Sequence, residues 1–180
     1  GKLPIRTLVV MYANHMHVVT VDGTGVNKVE DLKGKRVSTG SPGSATEVFA
    51  FRVIEAAGLD NDKDMKRERL GAAESVNAMK DKKIDAFFWV GGLPTSAVTD
   101  LAATPGTKIK ILDYAQYVDK MNAKYGPLYA AAKIPKATYP GMEKDAEDIT
   151  VWNVMSVNEK FDEELAYKLT KTMLEKREDL

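Results

Sequence analysis

Cysteine is absent from this chain. Disulfides, thiol nucleophiles and cysteine metal sites are therefore excluded, while the cellular compartment stays open. Histidine is scarce, with 2 in 180 residues. One residue separates His15 from His17, which would suit a metal on a strand; with no third ligand nearby, they read as surface or hinge histidines. Neither sign of charge dominates, since 26 Lys and Arg balance 26 Asp and Glu. With no basic stripe or acidic tail, the composition argues against nucleic acid as the main partner. No apolar run is long enough to span a bilayer, and no signal-peptide pattern opens the sequence. What is present is an apolar content of 44%, ordinary for a globular protein and enough for one domain or one and a half small lobes.

The most informative stretch runs from Asp31 to Glu47. A short strand, Arg36 to Thr39, leads into a turn rich in glycine and hydroxyl groups, Gly40-Ser41-Pro42-Gly43, and then into a helix. Such a turn aims backbone N–H groups and the positive end of the helix dipole at one point, which suits a carboxylate or a phosphate. Ser44-Ala45-Thr46-Glu47 fits the capping box, so a helix is expected to start here, with Glu47 as the box partner. An ordinary βα turn with a good N-cap accounts for the same spacing.

Elsewhere, Leu8–Tyr12 and His17–Val21 read as extended, largely buried segments. Asp22–Gly25 is a turn, and Val29–Gly34 is one helical turn closed by glycine. The helix opened by Ser44 stops at Gly58. A weak strand near Lys66–Leu70 precedes a helix over Ala73–Lys80, and Lys83–Val90 is a central strand. It ends at Gly91-Gly92-Leu93-Pro94-Thr95-Ser96, where Pro94 suits the first position of a new helix. Lys108–Leu112 alternates as a half-exposed strand. Tyr114, Tyr117, Val118, Met121 and Tyr125 form a helical stripe. Tyr129–Ile134 and Thr150–Val157 are strands, and Phe161, Leu165, Leu169 and Met173 share one face of a terminal helix. Strands alternating with helices imply an α/β layer with a mostly parallel sheet.

Two strand-to-helix junctions, Thr39–Thr46 and Val90–Ser96, pass through glycines into helices with free N–H groups. In open α/β sheets ligands sit at that edge, where the strand order reverses. A catalytic reading finds no support. Ser41 and Ser44 lack a paired His or Asp, and Gly40-Ser41-Pro42-Gly43-Ser44 is neither a nucleophile elbow nor a Walker loop. Asp81 and Asp85 sit on a turn with nothing pairing them as acid and base.

Taken in order, Val29–Val37, Gly40–Glu47, Lys83–Phe88, Gly91–Pro94 and Ile134-Pro135 through Thr138-Tyr139-Pro140-Gly141 resemble the TAXI family. These are the extracytoplasmic solute receptors of tripartite ATP-independent periplasmic (TRAP) transporters. The resemblance implies an α/β fold of the type II periplasmic-binding-protein kind. One complete α/β/α lobe would occupy residues 22–127. Residues 1–21 would be a hinge strand and a remnant of the first lobe, and residues 128–180 the return hinge and the C-terminal part of that lobe.

The implied function is capture of a small carboxylate, an amino acid such as glutamate or a dicarboxylate, and delivery to TRAP membrane subunits. The implied location is the periplasm, after removal of a signal peptide. Carried over, Ser41, Gly43, Ser44, Ala45 and Thr46 would hold the carboxylate. Gly91, Gly92, Leu93, Pro94 and Thr95 would form the opposing wall, and Tyr139 would reach the cleft from the hinge side. No catalytic residue, metal or cofactor is implied. Trp89 reads as core more than pocket lining. Two residues depart from the family pattern, Ala45 and Lys82, each standing where glycine is frequent. The same fold also serves as effector-sensing domains of transcription regulators and as a few transferases, which stay as alternatives. Without most of the first lobe, the apolar segments Leu8–Met11 and Val18–Val21 would invite self-association.

Overall fold

The computed structural model describes residues 3–178. They fall into two compact units, one of Asn14–Val151 and one of the described residues up to Ala13 and from Trp152 onward. Seven strands, among the described residues, belong to one sheet: β1 (Ile5–Val21), β2 (Arg36–Ser38), β3 (Lys66–Glu68), β4 (Ala86–Gly91), β5 (Ile109–Ile111), β6 (Ala130–Ile134) and β7 (Ala146–Asn158). The strand order is β3-β2-β4-β1-β7-β6, with β5 also paired to β1.

In the larger unit, helices α1 (Ala45–Ala56), α2 (Ala72–Lys80), α3 (Ser96–Ala102) and α4 (Val118–Tyr125) cover this sheet. Alternation along β1 and β4 sends their side chains to two faces. Met16, Val18, Ala86 and Phe88 pack with Phe49, Val53 and Ile54 of α1 and Met121 of α4. Val19 and Phe87 pack on the other side with Val76 and Met79 of α2 and Val98 and Leu101 of α3. The result is an α/β/α sandwich, the type II periplasmic-binding-protein-like architecture expected.

Three local expectations need correction. The sheet is mixed, because β2 runs parallel to β3 and β4 while β1 runs antiparallel to both β4 and β5, and β6 antiparallel to β7. β1 is antiparallel to β4, so the two are not partners in a right-handed βαβ crossover. Leu8–Tyr12 and His17–Val21 are parts of one continuous strand. Pro94 stays in the loop and α3 begins at Ser96, because Thr95 is held extended at the N-cap position, its N–H bonded to Tyr139 Oη at 3.0 Å.

The smaller unit contains the first part of β1, the last part of β7 and helix α5 (Glu163–Glu175). Asp162 caps α5 by accepting the Leu165 N–H at 2.8 Å. None of its described residues is buried. Ile5, Val10, Tyr12, Trp152, Val154 and Tyr167 all stand exposed. Its apolar side chains therefore lack the cover that a self-sufficient core requires.

The two units should respond differently to truncation. Phe87→Ala, at a fully buried position, is expected to lower unfolding free energy by about 3–5 kcal/mol. Trp152→Ser, 66% exposed, should change it by no more than about 0.5 kcal/mol. Urea denaturation followed by circular dichroism distinguishes the two outcomes.

Candidate functional site

β2 and β4 lie side by side and parallel, yet α1 packs on one face of the sheet and α3 on the other. The two chains leave adjacent strand ends in opposite directions, which is the reversal point where open α/β sheets bind ligands. The turns involved are Thr39–Ser44 after β2 and Gly91–Thr95 after β4. Thr46 Oγ1 accepts the Val90 N–H at 3.3 Å and joins the first turn of α1 to the end of β4. Gly40 has φ +98°, and a Cβ there would lie 2.7 Å from Thr46 Cγ2. Glycine is needed both for the sign of φ and for the close approach.

Within the first turn, Ser44 is the N-cap, its Oγ accepting the Glu47 N–H at 3.1 Å. The expected capping box closes one residue early, because Glu47 accepts the Gly43 N–H at 2.8 Å. Glu47 is also bound by Arg69 Nε at 2.9 Å and approached by Arg67 Nη1 at 3.5 Å. The Gly43 N–H does most to hold the Glu47 carboxyl below the usual range, with Arg69 adding to it against the effect of burial. Ser41 and Ser44 are half-buried, Gly43 and Ala45 exposed, and Thr46 buried.

On the facing turn, Gly91, Gly92, Leu93 and Thr95 are half-buried and Pro94 is exposed. Thr95 Oγ1 donates to Gly92 O at 2.9 Å and accepts from Trp89 Nε1 at 3.0 Å. Trp89 Nε1 lies 2.7 Å from where a Gly91 Cβ would be, so the indole packs directly over that glycine. Tyr139 is buried, 1% exposed. Its Oη accepts from Thr95 N–H at 3.0 Å and meets His17 Nε2 at 2.7 Å. His17 Nδ1 lies 3.1 Å from His15 O, and a carbonyl only accepts. Nδ1 therefore carries the proton, and Nε2 accepts from the Tyr139 hydroxyl. A chain of fixed polarity thus runs from His15 through His17 and Tyr139 to the Gly91–Thr95 wall.

This chain corrects the surface reading for His17. His17 is fully buried, and burial lowers its pKa from 6.5 to about 4. His15 Nδ1 lies 2.8 Å from Asp148 Oδ2. Asp148 is also fully buried; its Oδ1 has no hydrogen-bond partner among the described residues, and burial raises its carboxyl pKa. Asp148 escaped sequence reading because β7 begins at Ala146, four residues before the expected start. No group of three or more metal-ligating side chains forms among the described residues. Asp85 is tied to Arg36 through its backbone N–H at 2.9 Å and its guanidinium at 2.6 Å.

Sequence reasoning passed over a third junction at the same edge. β3 is parallel to β2 and leads through Arg69-Leu70 to Gly71, the N-cap residue of α2. Ser75 Oγ meets Ser38 Oγ at 2.8 Å, tying α2 to β2. The signal was present as a strand, a glycine and a helix, but the charged strand Lys66-Arg67-Glu68 lacks the apolar run that marks a central strand.

The pattern of the NMT1-like family matches residues 2–180. Among solved structures, the chain is similar to the periplasmic aliphatic sulphonate binding protein SsuA from Escherichia coli, at 11% identity and TM-score 0.51, covering 98% of this chain and 52% of that one. An ancestral arginine-binding protein bound to glutamine is similar at 19% identity and TM-score 0.53, over 97% and 59% of the two chains. The substrate binding protein of an amino acid ABC transporter is similar at 15% identity and TM-score 0.50, over 97% and 58%. The chain thus spans between 52% and 59% of the length of these structures, and at such identities the likeness concerns the fold.

His17 makes stability pH-dependent in a defined direction. Its folded pKa lies below its unfolded value, so its neutral, buried form is fully compatible with the fold above 6.5, and stability falls as pH drops from 6.5 towards 4. The loss expected at pH 4.5 is about 2–3 kcal/mol relative to pH 7. Asp148 acts in the opposite sense, since a raised carboxyl pKa favours the fold where the proton is held. Urea denaturation at both pH values should give a smaller difference in His17→Gln than in the wild type.

Proposed function

Since the chain belongs to the NMT1-like family, we propose that it is the solute-capturing part of an extracytoplasmic receptor of the TAXI type, serving a TRAP transporter. The observation that carries this reading is the opposite departure of α1 and α3 from the adjacent parallel strands β2 and β4. It sets two helix-entry turns beside one reversal point, where polar N–H groups can meet a small solute. The resemblance of Gly40–Glu47 and Gly91–Pro94 to the TAXI pattern supports the finer assignment.

The solute is a small carboxylate, an amino acid such as glutamate or a dicarboxylate. It lies between Ser41–Thr46 and Gly91–Thr95 and passes to TRAP membrane subunits at the cytoplasmic membrane after capture in the periplasm. Tyr139 acts from the hinge side through Thr95 rather than by touching the solute. The role is binding without chemistry, in keeping with the solute-binding proteins whose structures the chain resembles. Residues 22–127 form the second lobe. Residues 1–21 and 128–180 supply the hinge crossings and part of a first lobe, to which residues outside 1–180 contribute. Such receptors gain affinity by closing two lobes around the solute and excluding water. With the first lobe incomplete, each hydrogen bond of the half-site competes with water.

A native mass spectrum of the full-length receptor, purified without denaturation, should show a retained small carboxylate. Calorimetry with that compound should then give a Kd at or below about 1 μM, near −8 kcal/mol. Residues 1–180 alone should bind it far more weakly and self-associate through the exposed apolar side chains of the smaller unit. Micromolar binding by a monodisperse monomer of residues 1–180 would contradict the two-lobe reading.

A further inference from the structure

A carboxylate of the protein itself lies at each of the helix-entry turns after β2 and β3. Glu47 takes the Gly43 N–H at 2.8 Å. Glu74 folds over Gly71, its Oε2 lying where a Cβ of that residue would collide with it. Between the two turns stands Arg69, which is committed on one side only. Its Nε donates to Glu47 Oε1 at 2.9 Å. Its terminal nitrogens make no hydrogen bond among the described residues, and its side chain is 47% exposed.

The geometry fixes where this guanidinium lies. Gly43 N–H and Arg69 Nε bind the two oxygens of a single carboxylate, so Arg69 lies within a carboxylate's width of the Gly43 turn. Glu47 is a firm anchor, its side chain only 9% exposed. The second arginine at this carboxylate is spent differently: Arg67 packs on the Phe51 ring at 5.0 Å and reaches Asp62 at 3.1 Å. An arginine held through Nε keeps the planar edge of its two terminal nitrogens for an outside acceptor, and that fork matches a carboxylate. Glu74 has no cation partner among the described residues and repels an anion from the α2 turn, which leaves Arg69 as the point of entry.

We propose that Arg69 is a specificity-determining residue that takes the carboxylate of the solute on its terminal nitrogens, with Glu47 as the positioning residue that aims it. This assignment rests on the receptor reading above, and the Gly43 N–H, already taken by Glu47, is not a donor to the anion. Arg69 stands at the end of β3, two residues before the N-cap of α2, so it guards the side of the site that the two-turn view leaves open.

The test follows the Arg69 Nε–H resonance by NMR while the protein is titrated with succinate, L-glutamate and methanesulfonate, and with neutral succinamide as the control. At least one anion should give a saturable shift that succinamide does not reproduce. Arg69→Gln should weaken binding of that anion by about tenfold or more, and Arg69→Lys should recover only part of it, because lysine keeps the charge and loses the fork. Thermal melts of both variants check that the fold is kept. No shift with any anion, or an affinity unchanged in Arg69→Gln, overturns the assignment of Arg69. If the full-length receptor still captures a solute in that case, the receptor reading stands alone. A saturable shift at Arg69 in a protein that retains no solute would instead sustain the anion site and overturn the receptor reading.

Discussion

One hydrogen bond, from Val90 N–H to Thr46 Oγ1, holds the candidate site together. It spans the point where α1 and α3 leave neighbouring strands for opposite faces of the sheet. Gly40 makes it possible, since any side chain there would strike the Thr46 methyl group. The hydroxyl that sequence reasoning assigns to the ligand is thus also a structural tie. A solute at this point would meet turns whose relative position is already set, which lowers the ordering cost of binding.

The second constraint comes from the far side of the Gly91–Thr95 turn. The chain His15 O, His17, Tyr139, Thr95 has a single consistent direction of donation, fixed by the carbonyl at one end and the Thr95 N–H at the other. A charged His17 could no longer accept from Tyr139, so the network favours the neutral ring that burial already imposes. The wall Gly91–Thr95 is therefore positioned by residues of β1 and by Tyr139, far along the sequence from the turn itself. Asp148 of β7 and His15 of β1 add a pair between these two strands.

Much of this was legible in the sequence, and the exceptions share a cause. The helix start at Ser44, the strand Arg36–Ser38 and the glycine exit at Gly91 follow from local propensity and capping chemistry. The reversal point could be anticipated from two such junctions. The roles of His17, Tyr139 and Glu47 could not, because each depends on a partner 20 or more residues away, such as Arg69 for Glu47 and Tyr139 for His17. The third junction at Gly71 was hidden by the charge of β3. The mixed sheet was missed because nothing local in β1 specifies its direction, which is set by the strands it joins.

The central claim is that one solute touches the turns after β2 and β4 together. Backbone amide shifts recorded during titration of residues 1–180 with the solute retained by the full-length receptor test it most directly. The account predicts that amides of Ser41–Thr46 and of Gly91–Thr95 shift along one common binding curve. Shifts confined to a single turn, or gathered on a different edge of the sheet, would contradict it.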